Sequence, residues 1–179
     1  MATTSPSKKS KAQFETRLFI DGEFVASASG KTFKTINPAD ESVICEVHEA
    51  DAVDVDLAVK AARRAFEYNS PWRQLPASGR RDLLLKLASL IERDREEIAR
   101  LESLDNGKAL ASKGKTYGST ADVHLVIQCF RYYAGWADKI QGSTIPVDGK
   151  QLVYTVREPV GVAGVRVSRS QALWLVGSN

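Results

Sequence analysis

The chain has 179 residues, 43% of them hydrophobic and 26% charged, a composition that argues against disorder and suits a globular domain or part of one. Its net charge is +3, and Lys8, Lys9 and Lys11 account for all of it, so no basic face remains to follow a phosphate backbone and no nucleic-acid partner is expected. Two cysteines, Cys45 and Cys129, without CxxC or Cys/His spacing, argue against a disulfide scaffold and a zinc site, and no apolar run approaches the ~18 residues that span a bilayer.

The opening "MATTSPSKKSKAQF" is basic and acid-poor, but it lacks arginine and an apolar face, and Pro6 interrupts it. Residues 1–16 therefore read as a solvated tail rather than a transit peptide. Order is expected from about Arg17. "RLFIDGEFVAS" sets two apolar runs around Asp21-Gly22, a hairpin signal. "GKTFKTINP" and "SVICEVHEA" read as strands broken at Asn37-Pro38.

The period changes at Asp51, which can cap a helix whose first turn holds Asp54, where the helix dipole favours a negative charge. Val55, Ala58, Val59, Ala62 and Phe66 recur at helical spacing, and "NSPW" ends the run. A second helix begins near Pro76, with Leu83, Leu84, Leu87, Leu90 and Ile91 as its stripe. A third carries Ile98, Leu101 and Leu104 and stops at Asn106-Gly107, with Gly107 in the left-handed closing position. A long fourth places Val123, Val126, Ile127, Phe130 and Ala134 on one face, with Gly142 expected to close it. "TIPVDGKQLVYTV" is a hairpin turning at Asp148-Gly149, and the run after Tyr154 reads like a strand entering a buried sheet.

The motifs that suggest chemistry are weak. "SKGKT" at 112–116 resembles the end of a phosphate-binding loop, but the first glycine of that loop should stand at 109, which is Ala109. "GVAGV" at 161–165 lacks the third glycine of a dinucleotide fingerprint, and close packing of strands is the favoured reading. Cys129 falls among apolar helix positions and Cys45 in a strand-like run, neither with an activating cation nearby in sequence. Most carboxylates lie in "ERDREE", a helical surface. By residue chemistry alone no active site is visible.

Six phrases, in order, carry more: "LFIDGEFV", "GKTFKTINPAD", "DVDLAVKAARRAF", "LIERDREEIARLESLDNGK", "RYYAGWADKIQG" and "REPVGV". Together, over about residues 17–164, they resemble the N-terminal region of the NAD(P)-dependent aldehyde dehydrogenases. The resemblance implies an α/β fold: β-hairpins, helices and the start of a dinucleotide-binding sheet, truncated. It also implies the family reaction, in which a cysteine thiolate attacks an aldehyde, hydride passes to NAD or NADP, and a glutamate-activated water releases the acid. The family's catalytic cysteine, general-base glutamate and cofactor contacts come later in the chain than these phrases reach. Cys129 matches a non-catalytic family position, so no catalytic or cofactor-binding residue is expected here.

What the resemblance assigns within the chain is peripheral. Ala121 and Leu125 match positions that face the aldehyde channel. Several extra residues around "KTYGS" bear on where that helix starts. Asp105 matches a residue near a structural monovalent cation, with helix capping as the alternative. Residues 144–157 match the projecting oligomerisation hairpin, which would support self-association. Beyond Gly164 the pattern is lost. The family's Pro-Trp-Asn-Phe-Pro stretch is replaced by Ser168 to Ala172, and Arg166 stands where a buried strand should be apolar. Residues 165–179 are therefore expected not to follow the family.

Three readings follow. One is a truncated aldehyde dehydrogenase, inactive alone, not binding NAD(P) and cytoplasmic rather than mitochondrial. The second is a non-catalytic protein that pairs with full-length subunits through the 144–157 hairpin. The third is a small-molecule binder using the helices.

Overall fold

A computed structural model describes residues 14–110 and 118–166. Residues 1–13 of the basic tail, the "SKGKT" run and the altered stretch from Ser168 to Ala172 lie outside the described residues, as does all of 165–179 except Val165 and Arg166.

β1 (Leu18–Ile20) and β2 (Glu23–Val25) form the first hairpin, antiparallel with Leu18 opposite Val25. Asp21 and Gly22 both take positive φ, 57° and 85°, the tight primed turn whose twist matches flanking strands. β3 (Thr32–Ile36) and β4 (Val43–His48) form a second antiparallel pair with an irregularity between Thr35 and Ile36. The backbone N–H of His48 also donates to the Thr16 carbonyl at 2.9 Å.

α1 (Ala52–Phe66) starts at Asp51 with a reciprocal capping box. The Asp51 carboxylate accepts from the Val53 and Asp54 backbone, and Asp54 Oδ2 accepts from the Asp51 N–H. Asp54, 3% exposed, reaches further: its Oδ1 accepts from the Ala28 N–H at 3.0 Å. One buried carboxylate thus ties the start of α1 to the chain that follows β2. The short α2 (Pro71–Gln74) is capped by Ser70.

α3 (Ala77–Arg93) and α4 (Arg95–Asn106) are separated only by Asp94, and α5 (Ser119–Trp136) follows. The core is the meeting of these three helices. Ala88, Ala99, Val123 and Ile127 are buried, with Ile91, Ile98 and Phe130 packed around them. The apolar face expected on α5 is the one that is buried, Ala134 included.

On α3 the expected stripe divides. Leu84 and Ile91 are half-buried beside Ala88, whereas Leu83, Leu87 and Leu90 are 49, 40 and 39% exposed. On α1 only Val59 and Phe66 of the five expected apolar residues are even half-buried. Arg131 of α5 and Glu92 of α3 pair at 2.6 Å across the edge of the core.

Gly107 ends α4 as expected, with φ 75°. A side chain there would also meet Pro38, whose Cγ would lie 2.7 Å from an added Cβ, so the helix end abuts the Asn37-Pro38 turn. Gly142 does not close α5, which stops at Trp136 with Ala137 as its cap. The glycine is needed for another reason: an added Cβ would collide with the Thr155 carbonyl. Gly142 therefore lets the chain pass close to the third hairpin, β5 (Thr144–Ile145) and β6 (Val153–Tyr154), at whose turn Gly149 has φ 89°.

From Val156 to Arg166 the chain makes no strand, in contrast to the run expected to enter a buried sheet. Val160 is fully exposed, Val162 and Val165 are exposed, and so is Arg166. Each sheet among the described residues has two strands, and this segment joins none of them. The apolar run stays unpaired among the described residues, and Arg166, exposed, bears no burial cost.

Candidate functional site

The residues singled out by the sequence converge on one region, where α4 ends and α5 begins. Asp105 lies one residue before the end of α4 and is half-buried. Ala121 is the third residue of α5, half-buried, and its N–H donates to the Gly118 carbonyl at 2.9 Å. Leu125 follows one turn later, 50% exposed, so that Ala121 and Leu125 share a face of α5. Despite the extra residues before it, α5 starts early enough to include both.

The start of α5 is held by chain that returns from α4. The Ser119 N–H donates to the Ala109 carbonyl at 3.1 Å, and the Thr120 N–H and hydroxyl both donate to the Leu110 carbonyl. These bonds satisfy donors that a helix N-terminus leaves open.

A polar cluster locks the same junction. The Lys108 ammonium pairs with Asp122, and the Lys108 N–H donates to Asn106 Oδ1 at 2.7 Å. Asn106 Nδ2 donates to Glu102 Oε1 at 3.2 Å, while Glu102 Oε2 is buried without a hydrogen-bond partner. Burial pushes the Glu102 carboxyl above the usual carboxylate range, and the charge of Asp122 adds to it. Lys108 and Asn106 pull in the opposite direction.

This arrangement braces; it contains no nucleophile and base set for attack on a carbonyl. Cys129 is half-buried on α5, and Cys45 on β4 lies 3.3 Å from Thr35 Oγ1. Among the described residues no group of three or more His, Cys, Asp or Glu side chains could hold a metal ion.

The structure brings together one pair that sequence reading missed. His48 Nδ1 lies 3.3 Å from Ser27 Oγ and accepts from the Ser27 N–H at 3.2 Å. Ser27 is 5% exposed and its hydroxyl also reaches the Lys31 carbonyl, so the pair fastens the chain after β2 to the end of β4 and offers no open nucleophile. The two residues stand 21 positions apart with no motif between them, so no sequence signal could have joined them.

The family model described as "Aldehyde dehydrogenase family" matches residues 24–168. Over 150 residues the chain is 56% identical to "Aldehyde dehydrogenase, cytosolic 1" of Elephantulus edwardii, covering 84% of this chain and 29% of that protein. It is 52% identical over 151 residues to "Aldehyde dehydrogenase, mitochondrial" of Homo sapiens, covering 84% of this chain and 28% of that one. The fold agrees as well: an NAD+ complex of aldehyde dehydrogenase from Bacillus cereus superposes with TM-score 0.76 at 48% identity, over 82% of this chain and 29% of that one. The chain thus spans less than a third of the length of the relatives it matches.

Proposed function

Because the chain belongs to the aldehyde dehydrogenase family, we propose that it supplies the N-terminal portion of an enzyme that oxidises aldehydes to carboxylic acids with NAD or NADP. The joint agreement of sequence and fold over four fifths of the chain carries this reading. In it, Ala121 and Leu125 face the aldehyde's route, and the braced junction of α4 and α5 fixes their position. Asp105 serves a structural monovalent cation, which a carboxylate in the last turn of a helix favours, because the dipole adds negative charge there. Residues 17–164 make up this family portion, and the compartment is the cytoplasm, with mitochondria as the alternative.

The described residues do not fit a dinucleotide. Gly161 and Gly164 lie in an exposed stretch with neither a strand leading directly into them nor a helix start up to Arg166. Cofactor binding, nucleophile and general base therefore belong to the portion of the family fold that the match does not cover. Alone, the 179-residue chain should give no acetaldehyde-dependent NADH above a heat-killed control. Residues 17–164 should instead substitute for the matching segment of a full-length relative and leave it active. A folded but inactive chimera would overturn the reading.

A second reading has its own observation. Leu152, Tyr154 and Val156 of the third hairpin are 76, 63 and 67% exposed. A two-stranded hairpin is marginal in water, and such a face calls for a partner. The chain would then pair with full-length subunits, or with itself, through residues 144–157 and play no part in the chemistry.

A further inference from the structure

α5 begins without a side-chain cap, because its N-cap is Gly118. The N–H groups of Ala121 and Asp122 donate to the Gly118 carbonyl, which leaves those of Ser119 and Thr120 to be satisfied from elsewhere. Chain returning from α4 takes over the role of the cap, one residue at a time. The Ala109 carbonyl accepts from the Ser119 N–H at 3.1 Å and the Leu110 carbonyl from the Thr120 N–H at 3.2 Å. The Lys108 ammonium pairs with Asp122, whose side chain is only 14% exposed. Lys108 is in turn fastened to the end of α4 by both its backbone groups. Its N–H donates to Asn106 Oδ1 at 2.7 Å, and its carbonyl accepts from the Ser103 hydroxyl at 2.6 Å. Lys108, Ala109 and Leu110 thus each hold one residue of the first turn of α5.

The core fixes something different. Val123 and Ile127 are buried with Ala88 and Ala99, which decides the face of α5 that turns inward. Ala121 lies ahead of Val123, in the turn that residues 108–110 hold. A connection whose two ends are bonded to each other, as Ala109 and Ser119 are, can change length without moving either end. We propose that residues 108–110 form a strap that places the first turn of α5 whatever the length of the 111–117 connection, and that Lys108 is the positioning residue through which the strap sets the width of the aldehyde route at Ala121 and Leu125. The strap accounts for an α5 that starts in time to include Ala121 despite the extra residues around "KTYGS". The route rests on the family reading above; the strap does not. Lys108 also neutralises a second carboxylate, because Glu102 stands close enough for Asp122 and Lys108 to act on its charge in opposite directions. Without the ammonium, the carboxylates of Glu102 and Asp122 repel each other and drive the start of α5 away from the end of α4.

Amide hydrogen exchange of the 179-residue chain, followed by peptide mass, tests the strap. Lys108→Met should speed exchange across residues 119–122 about tenfold, with the peptides of α3 unchanged, because a partly buried carboxylate loses its partner. Asp122→Asn should speed it less, since it also removes the repulsion with Glu102, and it supplies the same comparison should Lys108→Met not fold. Lys108→Arg, which keeps the charge, and deletion of Lys113, Gly114 and Lys115 should both exchange like the unaltered chain. The chimera of residues 17–164 with a full-length relative tests the route. There Lys108→Met should raise KM for hexanal about tenfold relative to acetaldehyde with kcat unchanged, while Lys108→Arg and the deletion keep the original ratio. Unchanged exchange in both Lys108→Met and Asp122→Asn would show that the core alone places α5 and would overturn the proposal. A deletion that speeds exchange as much as Lys108→Met would overturn it too. Faster exchange with an unchanged KM ratio in an active chimera would overturn the role of Lys108 in the route. An inactive chimera counts against the family reading alone, and exchange then decides the strap by itself.

Discussion

At the scale of single residues, two carboxylates do opposite things. Asp54 is buried, and its carboxylate accepts two backbone N–H bonds: from Asp51, which completes the reciprocal box at the start of α1, and from Ala28. Replacing it with alanine would leave the N–H groups of Ala28 and Asp51 without partners. We expect a loss of about 2 kcal/mol or more, read as a lower urea midpoint at 222 nm, with the Asn variant falling between. Glu102 works against the fold. Its folded carboxyl titrates above the ordinary value, so the folded state holds its proton where the unfolded state has released it. Stability therefore falls as pH rises from the usual value of 4.5 through the raised one, and the penalty is fully present above both. Glu102→Gln should raise the urea midpoint at pH 7 and have no effect near pH 3. An equal effect at both values would show that charge is not the cause.

At the scale of elements, the third hairpin and α5 make the clearest contrast. The hairpin shows its apolar face to solvent, and Leu152→Lys with Tyr154→Lys should reduce the chain's apparent mass at tens of micromolar in light scattering. An unchanged mass would acquit the hairpin of driving association. The face of α5, by contrast, was legible from spacing alone because its whole apolar stripe is satisfied inside the chain. α3 reads less simply: both its columns are leucine, and spacing cannot tell a residue covered by α5 from one covered by something else. The end of α1 at Phe66, the Asp21-Gly22 turn and the Gly107 stop were legible because each rests on local backbone chemistry. The Asp54–Ala28 bond, the Ser27–His48 pair and the contact of Gly142 with Thr155 were not, because each depends on residues distant in sequence. At the candidate site, family resemblance and not residue chemistry pointed to Asp105, Ala121 and Leu125. The brace of Glu102, Asn106, Lys108 and Asp122 that positions them had no motif to announce it.

At the scale of the whole molecule, the described residues form a small three-helix core flanked by three separate hairpins, and among them apolar faces on α1, α3 and the third hairpin are left uncovered. Such a chain should be helical by far-UV circular dichroism yet melt over a broad range, since little of its surface is cooperatively packed. A sharp transition with a monomeric mass would show a self-sufficient domain. The Asn106-Gly107 end of α4 offers a slow chemical record of the same property. An asparagine followed by glycine loses its amide when the glycine nitrogen attacks the side-chain carbonyl. Here that nitrogen is held to the Ser103 carbonyl at 3.1 Å, and the Asn106 amide is gripped by Glu102 and Lys108. While α4 stays closed, the reaction is blocked; each opening of the helix end permits it. The rate at which stored protein converts Asn106 to aspartate and isoaspartate, followed by peptide mass, therefore counts how often the end of α4 opens. A partner that truly completes the fold should slow that clock.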